Sequence, residues 1–145
     1  MFFNRHKAEL ETLQHTVANQ TGLLEAIDRS MAVIEFDLNG VVLRANDNFL
    51  MTVGYQREQV IGQQHRKFCP PEFARSSQYS ELWSRLNNGQ FESGTLERVN
   101  SKGEPIWLEA SYNPIKDASG RVVKVVKYAL DVTAKVQQES ESAAK

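Results

Sequence analysis

The stretch "GTLERVNSKGEPIWLEASYNPIKDASGRVVKVVKYALDVT", residues 94–133, decides how the chain folds. Strand-forming residues run from Glu92 to Val99, from Ile106 to Ile115 and from Val122 to Val132. Between them stand Ser101-Lys102-Gly103 and Asp117-Ala118-Ser119-Gly120. Short polar side chains there bond to the backbone two residues on, and glycine supplies a positive φ, so both connections read as tight turns. Connections this short join antiparallel neighbours, because a parallel pair needs a crossover of a dozen residues or more.

Upstream, Ala32, Ile34 and Phe36 alternate with Val33, Glu35 and Asp37, and Asn39-Gly40 turns the chain into Val41-Val42-Leu43. This is a β-hairpin. Asn46 then suits the N-cap of a helix running through Phe49 and Leu50 and closing at Gly54. A further helical turn, Arg57 to Ile61, ends at Gly62. Pro70-Pro71 interrupts before an amphipathic helix from about Phe73 to Leu86, with Tyr79, Leu82, Trp83 and Leu86 on one side, and Asn87-Asn88-Gly89 stops it. Five strands with helices inserted after the second predict an α+β domain around one antiparallel sheet.

The ends differ from this middle. Leu10, Leu13, Val17, Leu24 and Ile27 fall at alternating three- and four-residue steps when Gln20 takes one seam position. That pattern over residues 1–29 fits a paired coiled-coil helix, or a single amphipathic helix packed on its own domain. Residues 134–145 are rich in Gln, Glu, Ser and Ala, and read as the start of a linker helix without an apolar stripe.

A chain of 145 residues is enough for one domain with its own core, without metal or disulfide staples. With 17 basic and 18 acidic residues, net charge −1, no broad basic surface for nucleic acid is expected. Cys69 is the only cysteine, which excludes an internal disulfide and reads as an inert, half-buried thiol. No apolar run approaches the roughly 20 residues that span a bilayer. The opening Met-Phe-Phe-Asn-Arg-His turns polar too soon for a signal peptide, so a cytoplasmic protein, or a cytoplasmic piece of a larger one, is expected.

No catalytic or metal site is expected. His6 and His15 fall on the N-terminal helix, no serine has a nucleophile-elbow context, and no His-x-x-x-His or Cys-x-x-Cys pair offers metal spacing. The carboxylates are scattered, with nothing to bring two together for acid–base work.

The order hairpin, "NDNFLMTVGY" (46–55), "EQVIGQQH" (58–65), "LWSRLNNGQ" (82–90) and then the opening stretch resembles a PAS sensory domain over residues 30–133. "RANDNFL", "GYQREQVIGQQH", "ELWSRLNNGQFESG" and "WLEASYNPI" most resemble the PAS modules of cytoplasmic methyl-accepting chemotaxis transducers of the aerotaxis type. The resemblance implies a five-stranded sheet with short helices on one face, in which the segments from Asn46 to Gln64 and the helix bearing Trp83 wall a small cavity.

For such a cavity the resemblance implies FAD, with Trp83 against the ring system and Asn46, His65, Arg98, Leu108 and Tyr112 as further contacts. Haem b, ligated by His65, or no cofactor at all, are the alternatives. The register of light-sensing relatives turns Leu108, Ala110 and Tyr112 inward and Trp107, Glu109, Ser111 and Asn113 outward. It also turns Arg98 and Lys127 inward, where an anion would have to accompany them. As long charged side chains, both are expected instead to snorkel to the surface. Where the aerotaxis receptor type carries an Arg-His-Pro-Asp run, this chain has Cys69-Pro70-Pro71-Glu72, and the photoactive cysteine of light-sensing relatives has no counterpart.

The expected function is therefore the signal-input module of a chemotaxis-type transducer, a homodimer that binds a cofactor or small ligand. Asp131 and Thr133 would relay its state to a downstream domain of the same chain. The alternatives are a ligand-free dimerisation or interaction module, and the input domain of a histidine kinase or cyclic-dinucleotide enzyme.

Overall fold

In the computed structural model, residues 2–144 are described. They form α1 (Phe2–Ser30), β1 (Ala32–Phe36), β2 (Val42–Ala45), α2 (Asp47–Val53), α3 (Pro71–Ala74), α4 (Ser77–Asn87), β3 (Glu92–Val99), β4 (Pro105–Lys116), β5 (Val122–Asp131) and α5 (Thr133–Ala144). Single 3₁₀ turns at Arg57–Gln59 and His65–Phe68 lie between α2 and α3. The chain divides into two units after Ser30.

The first unit is α1, a 29-residue helix on which Leu10, Leu13, Val17 and Leu24 are exposed. The second unit holds five strands in the order β2-β1-β5-β4-β3, every neighbouring pair antiparallel. The α+β fold with one five-stranded antiparallel sheet, expected from the turn chemistry, is the fold observed.

The pleat sends alternate residues to opposite faces. Ile106, Leu108, Ala110 and Tyr112 of β4 are buried, while Trp107 and Ser111 are partly covered and Glu109 is exposed. The core gathers Ile34 and Phe36 of β1, Phe49 and Val53 of α2, Leu82, Trp83 and Leu86 of α4, and Val125 and Ala129 of β5. All the short helices lie between β2 and β3 in the chain, so the hairpin β1–β2 and the meander β3–β4–β5 supply the sheet they cover.

Two glycines fix the wall. Gly54 ends α2 at φ 74°, its N–H donating to Leu50 O, and a Cβ there would lie 2.8 Å from Ser101 Oγ. Gly40 turns the first hairpin at φ 79°, and a Cβ there would lie 3.3 Å from the Trp83 ring. The β1–β2 turn thus presses against α4 through the absence of a side chain.

One expected helix is two. The amphipathic pattern from Phe73 to Leu86 is broken at Ser76, whose Oγ accepts from Tyr79 N at 3.3 Å and caps α4, leaving α3 as a separate turn begun by Pro71. A side-chain cap beats continuation of the helix here because serine competes well for free amides.

Candidate functional site

Residues 62–65 are held against β2 by the backbone. Gly62 N donates to Val42 O, Val42 N to Gln63 O, and His65 N to Gly40 O, at 2.9, 2.9 and 2.8 Å. The 3₁₀ turn that follows begins at His65 and delivers its imidazole to the interior, where the residue is 1% exposed. The ring stacks on Tyr79 at a centroid distance of 5.6 Å and meets Phe36 and Trp83 edge-on at 5.1 and 5.4 Å.

Both ring nitrogens of His65 are engaged. Nδ1 lies 3.1 Å from the Tyr79 hydroxyl and Nε2 lies 2.8 Å from the Tyr112 hydroxyl. Arg98, projecting from β3, donates through Nη2 to the same Tyr112 oxygen at 2.8 Å and through Nη1 to Glu97 O at 2.7 Å. Its guanidinium also lies 5.3 Å from the Phe73 ring centre. Lys127, paired in register with Tyr112, places its ammonium nitrogen 5.0 Å from the centre of that tyrosine's ring. Arg98 is 3% exposed and Lys127 is 2% exposed. Among the described residues neither forms a salt bridge with a carboxylate.

Burial sets the protonation of the cluster. It pushes His65 well below the usual histidine range, with Lys127 and Arg98 adding to the shift, so the imidazole is neutral. It pushes Lys127 well below the usual lysine range, again with help from Arg98. Tyr112 is raised by burial to about 12 despite the neighbouring guanidinium. For Arg98 burial opposes the charge, but the surrounding tyrosine and cysteine groups outweigh it, and the guanidinium stays protonated. Burial also raises Cys69, whose Sγ lies 3.6 Å from His65 Nδ1 and 3.7 Å from His65 O, which favours the thiol over the thiolate.

Two buried nitrogens have no hydrogen-bond partner among the described residues, Arg98 Nε and Trp83 Nε1. Burial raises the Tyr79 hydroxyl above the usual tyrosine range, with the neighbouring Trp83 indole opposing the shift. Arg98 and Tyr112 reach a cleft of about 320 Å³ between α4 and β3, lined also by Phe73, Leu82, Leu96 and the Arg85–Glu92 ion pair.

Of the residues that the resemblance implicates, His65, Trp83, Arg98 and Tyr112 come together, and Leu108 packs in the same core. Asn46 does not join them. Its Oδ1 accepts from Phe49 N and Val33 N at 3.0 and 2.9 Å and its Nδ2 donates to Met31 O at 2.9 Å, so the side chain is spent on capping α2 and tying it to β1. Arg98 and Lys127 are buried rather than snorkelling, and Cys69 is fully rather than half buried. Tyr79 was missed as a partner of His65, although its place beside Trp83 on the apolar side of α4 was visible.

At the other end of the sheet, Trp107 N donates to Thr133 Oγ1 at 2.9 Å, Val132 N donates to Trp107 O at 2.8 Å, and Thr133 N donates to Asp131 Oδ1 at 2.9 Å. Asp131 and Thr133 therefore tie the end of β5 and the start of α5 to β4. Among the described residues no three His, Cys, Asp or Glu side chains form a group able to hold a metal ion. No described helix is long and apolar enough to cross a membrane.

The family profile described as PAS fold matches residues 27–137. The biofilm dispersion protein BdlA of Pseudomonas aeruginosa is 46% identical over 134 residues, which is 92% of this chain and 32% of BdlA. The aerotaxis receptor of Escherichia coli is 27% identical over 79 residues, 54% of this chain and 15% of the receptor. The chain thus spans a third or less of these relatives' length. Among solved structures, the PAS domain of a Colwellia psychrerythraea protein superposes with a TM-score of 0.70 at 24% identity, covering 79% of this chain and 98% of that one. An RNA-binding light-oxygen-voltage receptor superposes at 0.72 with 26% identity, covering 89% and 37%. The sheet order, the helices on its inner face and the matched span agree: the chain belongs to the PAS family, as a PAS domain of the kind found in BdlA and the aerotaxis receptor.

Proposed function

We propose that this PAS domain is the non-enzymatic, cytoplasmic signal-input module of a chemotaxis-type transducer, reading a small ligand beside the Arg98–Tyr112–His65 chain. The observation that carries this reading is the continuity between cleft and exit. Tyr112 and Arg98 border the cleft, Tyr112 sits on β4, and β4 holds α5 through the Trp107–Thr133 bond. A ligand that changes contacts at Tyr112 acts on the strand that orients the output helix. It shifts the equilibrium only by the difference in its affinity for the two states.

The cofactors fit this interior poorly. The Trp83 ring is already met edge-on by Phe36 and His65 at 5.7 and 5.4 Å, and a cleft of about 320 Å³ lies at the small end of the roughly 300–1,000 Å³ of ligand sites. To ligate haem, His65 would have to give up one of its two tyrosine partners. The absorption spectrum of freshly purified protein checks both, and a stoichiometric flavin or Soret band would restore the corresponding cofactor. The exposed seam of α1, with Leu10, Leu13, Val17 and Leu24, supports a homodimer through paired N-terminal helices.

The function itself is tested in the full-length transducer. Tyr112→Phe at the site and Thr133→Ala at the exit are each expected to alter signalling bias without unfolding the domain. Wild-type signalling from both variants would favour a ligand-free interaction module instead.

A further inference from the structure

Arg98 is a buried cation whose donors are only partly used. A guanidinium carries five N–H donors, and two are committed here, one to Glu97 O and one to the Tyr112 hydroxyl. The Nε–H has no partner among the described residues. A buried charge is costly unless an anion accompanies it. The five-stranded sheet supplies none to Arg98, because its register neighbour is Ile106 and the residues of β4 turned to the same face are Leu108, Ala110 and Tyr112.

The surroundings define what such an anion can be. Arg85 is already paired with Glu92 at the cleft, so Arg98 is its unneutralised cation among the lining residues, and Glu81, on an exposed position of α4, opposes a second negative charge. Phe73, Leu82 and Leu96 offer apolar surface, and Gln78 and Ser93 are polar without charge. The volume of about 320 Å³ admits a molecule of few heavy atoms.

We propose that this cleft binds a small organic monocarboxylate, its carboxylate on the free Nε/Nη edge of Arg98 and its apolar body against Phe73, Leu82 and Leu96. Bidentate pairing with a carboxylate is the geometry that edge favours. The Tyr112 hydroxyl, already bonded to Arg98, then carries the presence of the anion to His65. The proposal rests on the ligand-reading function above and names its ligand class.

Calorimetric titration of the 145-residue chain with phenylacetate, isovalerate and hexanoate, beside their uncharged amides and inorganic phosphate, tests it. The carboxylates are expected to bind at least tenfold more tightly than the amides and than phosphate. Arg98→Gln is expected to lose at least tenfold in affinity and Arg98→Lys to lose less. Ser93→Trp, at an exposed position of the lining, is expected to block binding in a normally folded protein, which keeps the test decisive should Arg98→Gln unfold. Equal binding of acids and amides, tighter binding of phosphate, no binding by any carboxylate, or binding untouched by Ser93→Trp would overturn the site. The two readings fail separately. Carboxylate binding with unaltered signalling in Tyr112→Phe and Thr133→Ala sinks the sensory function alone, whereas altered signalling without carboxylate binding sinks the ligand class alone.

Discussion

The imidazole Nε2 of His65 and the hydroxyl of Tyr112 lie 2.8 Å apart, although 47 residues separate them in the chain. The direction of that bond follows from its neighbours. Arg98 can only donate, and it donates to the Tyr112 oxygen, so the tyrosine proton points to Nε2. The remaining proton of a neutral imidazole is then on Nδ1, facing the Tyr79 hydroxyl at 3.1 Å. Arg98, Tyr112, His65 and Tyr79 form one polarised chain with a single proton order. Protonating His65 would leave the Tyr112 oxygen between two donors with its own hydrogen unplaced.

Stability should therefore fall in mild acid. His65 resists protonation in the folded state but binds a proton near its ordinary value of 6.5 when unfolded. Below that pH the unfolded state holds the extra proton, so stability drops as pH falls, by about 1.4 kcal/mol per unit until His65 titrates in the folded protein. Urea unfolding between pH 7.5 and 5 measures the slope. In His65→Gln, compared at each pH with wild type, this part of the slope should vanish; an unchanged slope would assign it to other groups.

Lys127 gives a test of the same sign at higher pH, because its amine too is held against its own solvation. Burial keeps its folded-state pKa well below 10.5, so the unfolded state binds the extra proton between the two values and stability rises with pH through that window. Lys127→Met fills similar volume without a charge to desolvate. It should stabilise the domain at pH 7 by roughly 1–4 kcal/mol, the range seen when buried ionic groups give way to apolar ones. It should also flatten the rise below pH 10.5. A loss of stability would show that the amine has a compensating partner in solution.

The exit bonds predict a local effect. Asp131→Ala removes the acceptor for Thr133 N, and Thr133→Ala removes the acceptor for Trp107 N. Each should cost about 0.5–1.5 kcal/mol. Amide exchange should quicken in α5 and around Trp107 while the core of β4 and β5 stays protected. Uniform acceleration across the sheet would mean that the bonds serve the whole fold and not the joint.

The seam of α1 predicts mass. Sedimentation of the whole chain should give a dimer, and a chain beginning at Met31 should sediment as a monomer or as a much weaker dimer. Leu13→Asp together with Val17→Asp should act like the deletion, since both sit on exposed seam positions. The same number of chains per particle in all three proteins would remove α1 from the assembly.

Features that depend on neighbours a few residues away were legible in the amino-acid order alone. Turn residues at 101–103 and 117–120 and the alternation along β4 marked the meander, Asn46 and Gly54 bounded α2, and the steps from Leu10 to Ile27 marked α1. Local pattern was less reliable where two local solutions competed, as at Ser76, whose cap split one expected helix into α3 and α4. The site was settled by packing between distant segments. Whether Arg98 and Lys127 face inward depends on strand register, where a slip of one residue reverses every side chain. The burial of His65 depends on the bond between its backbone N–H and Gly40 O, and its protonation on two tyrosines, 14 and 47 residues away. Charged side chains alone read as surface; they became interior because β3, β4 and β5 pair in one register, which brings Arg98 onto the Tyr112 hydroxyl and Lys127 over its ring. A buried polar group is specified by partners that packing brings together from distant parts of the chain, and no short window of sequence contains them.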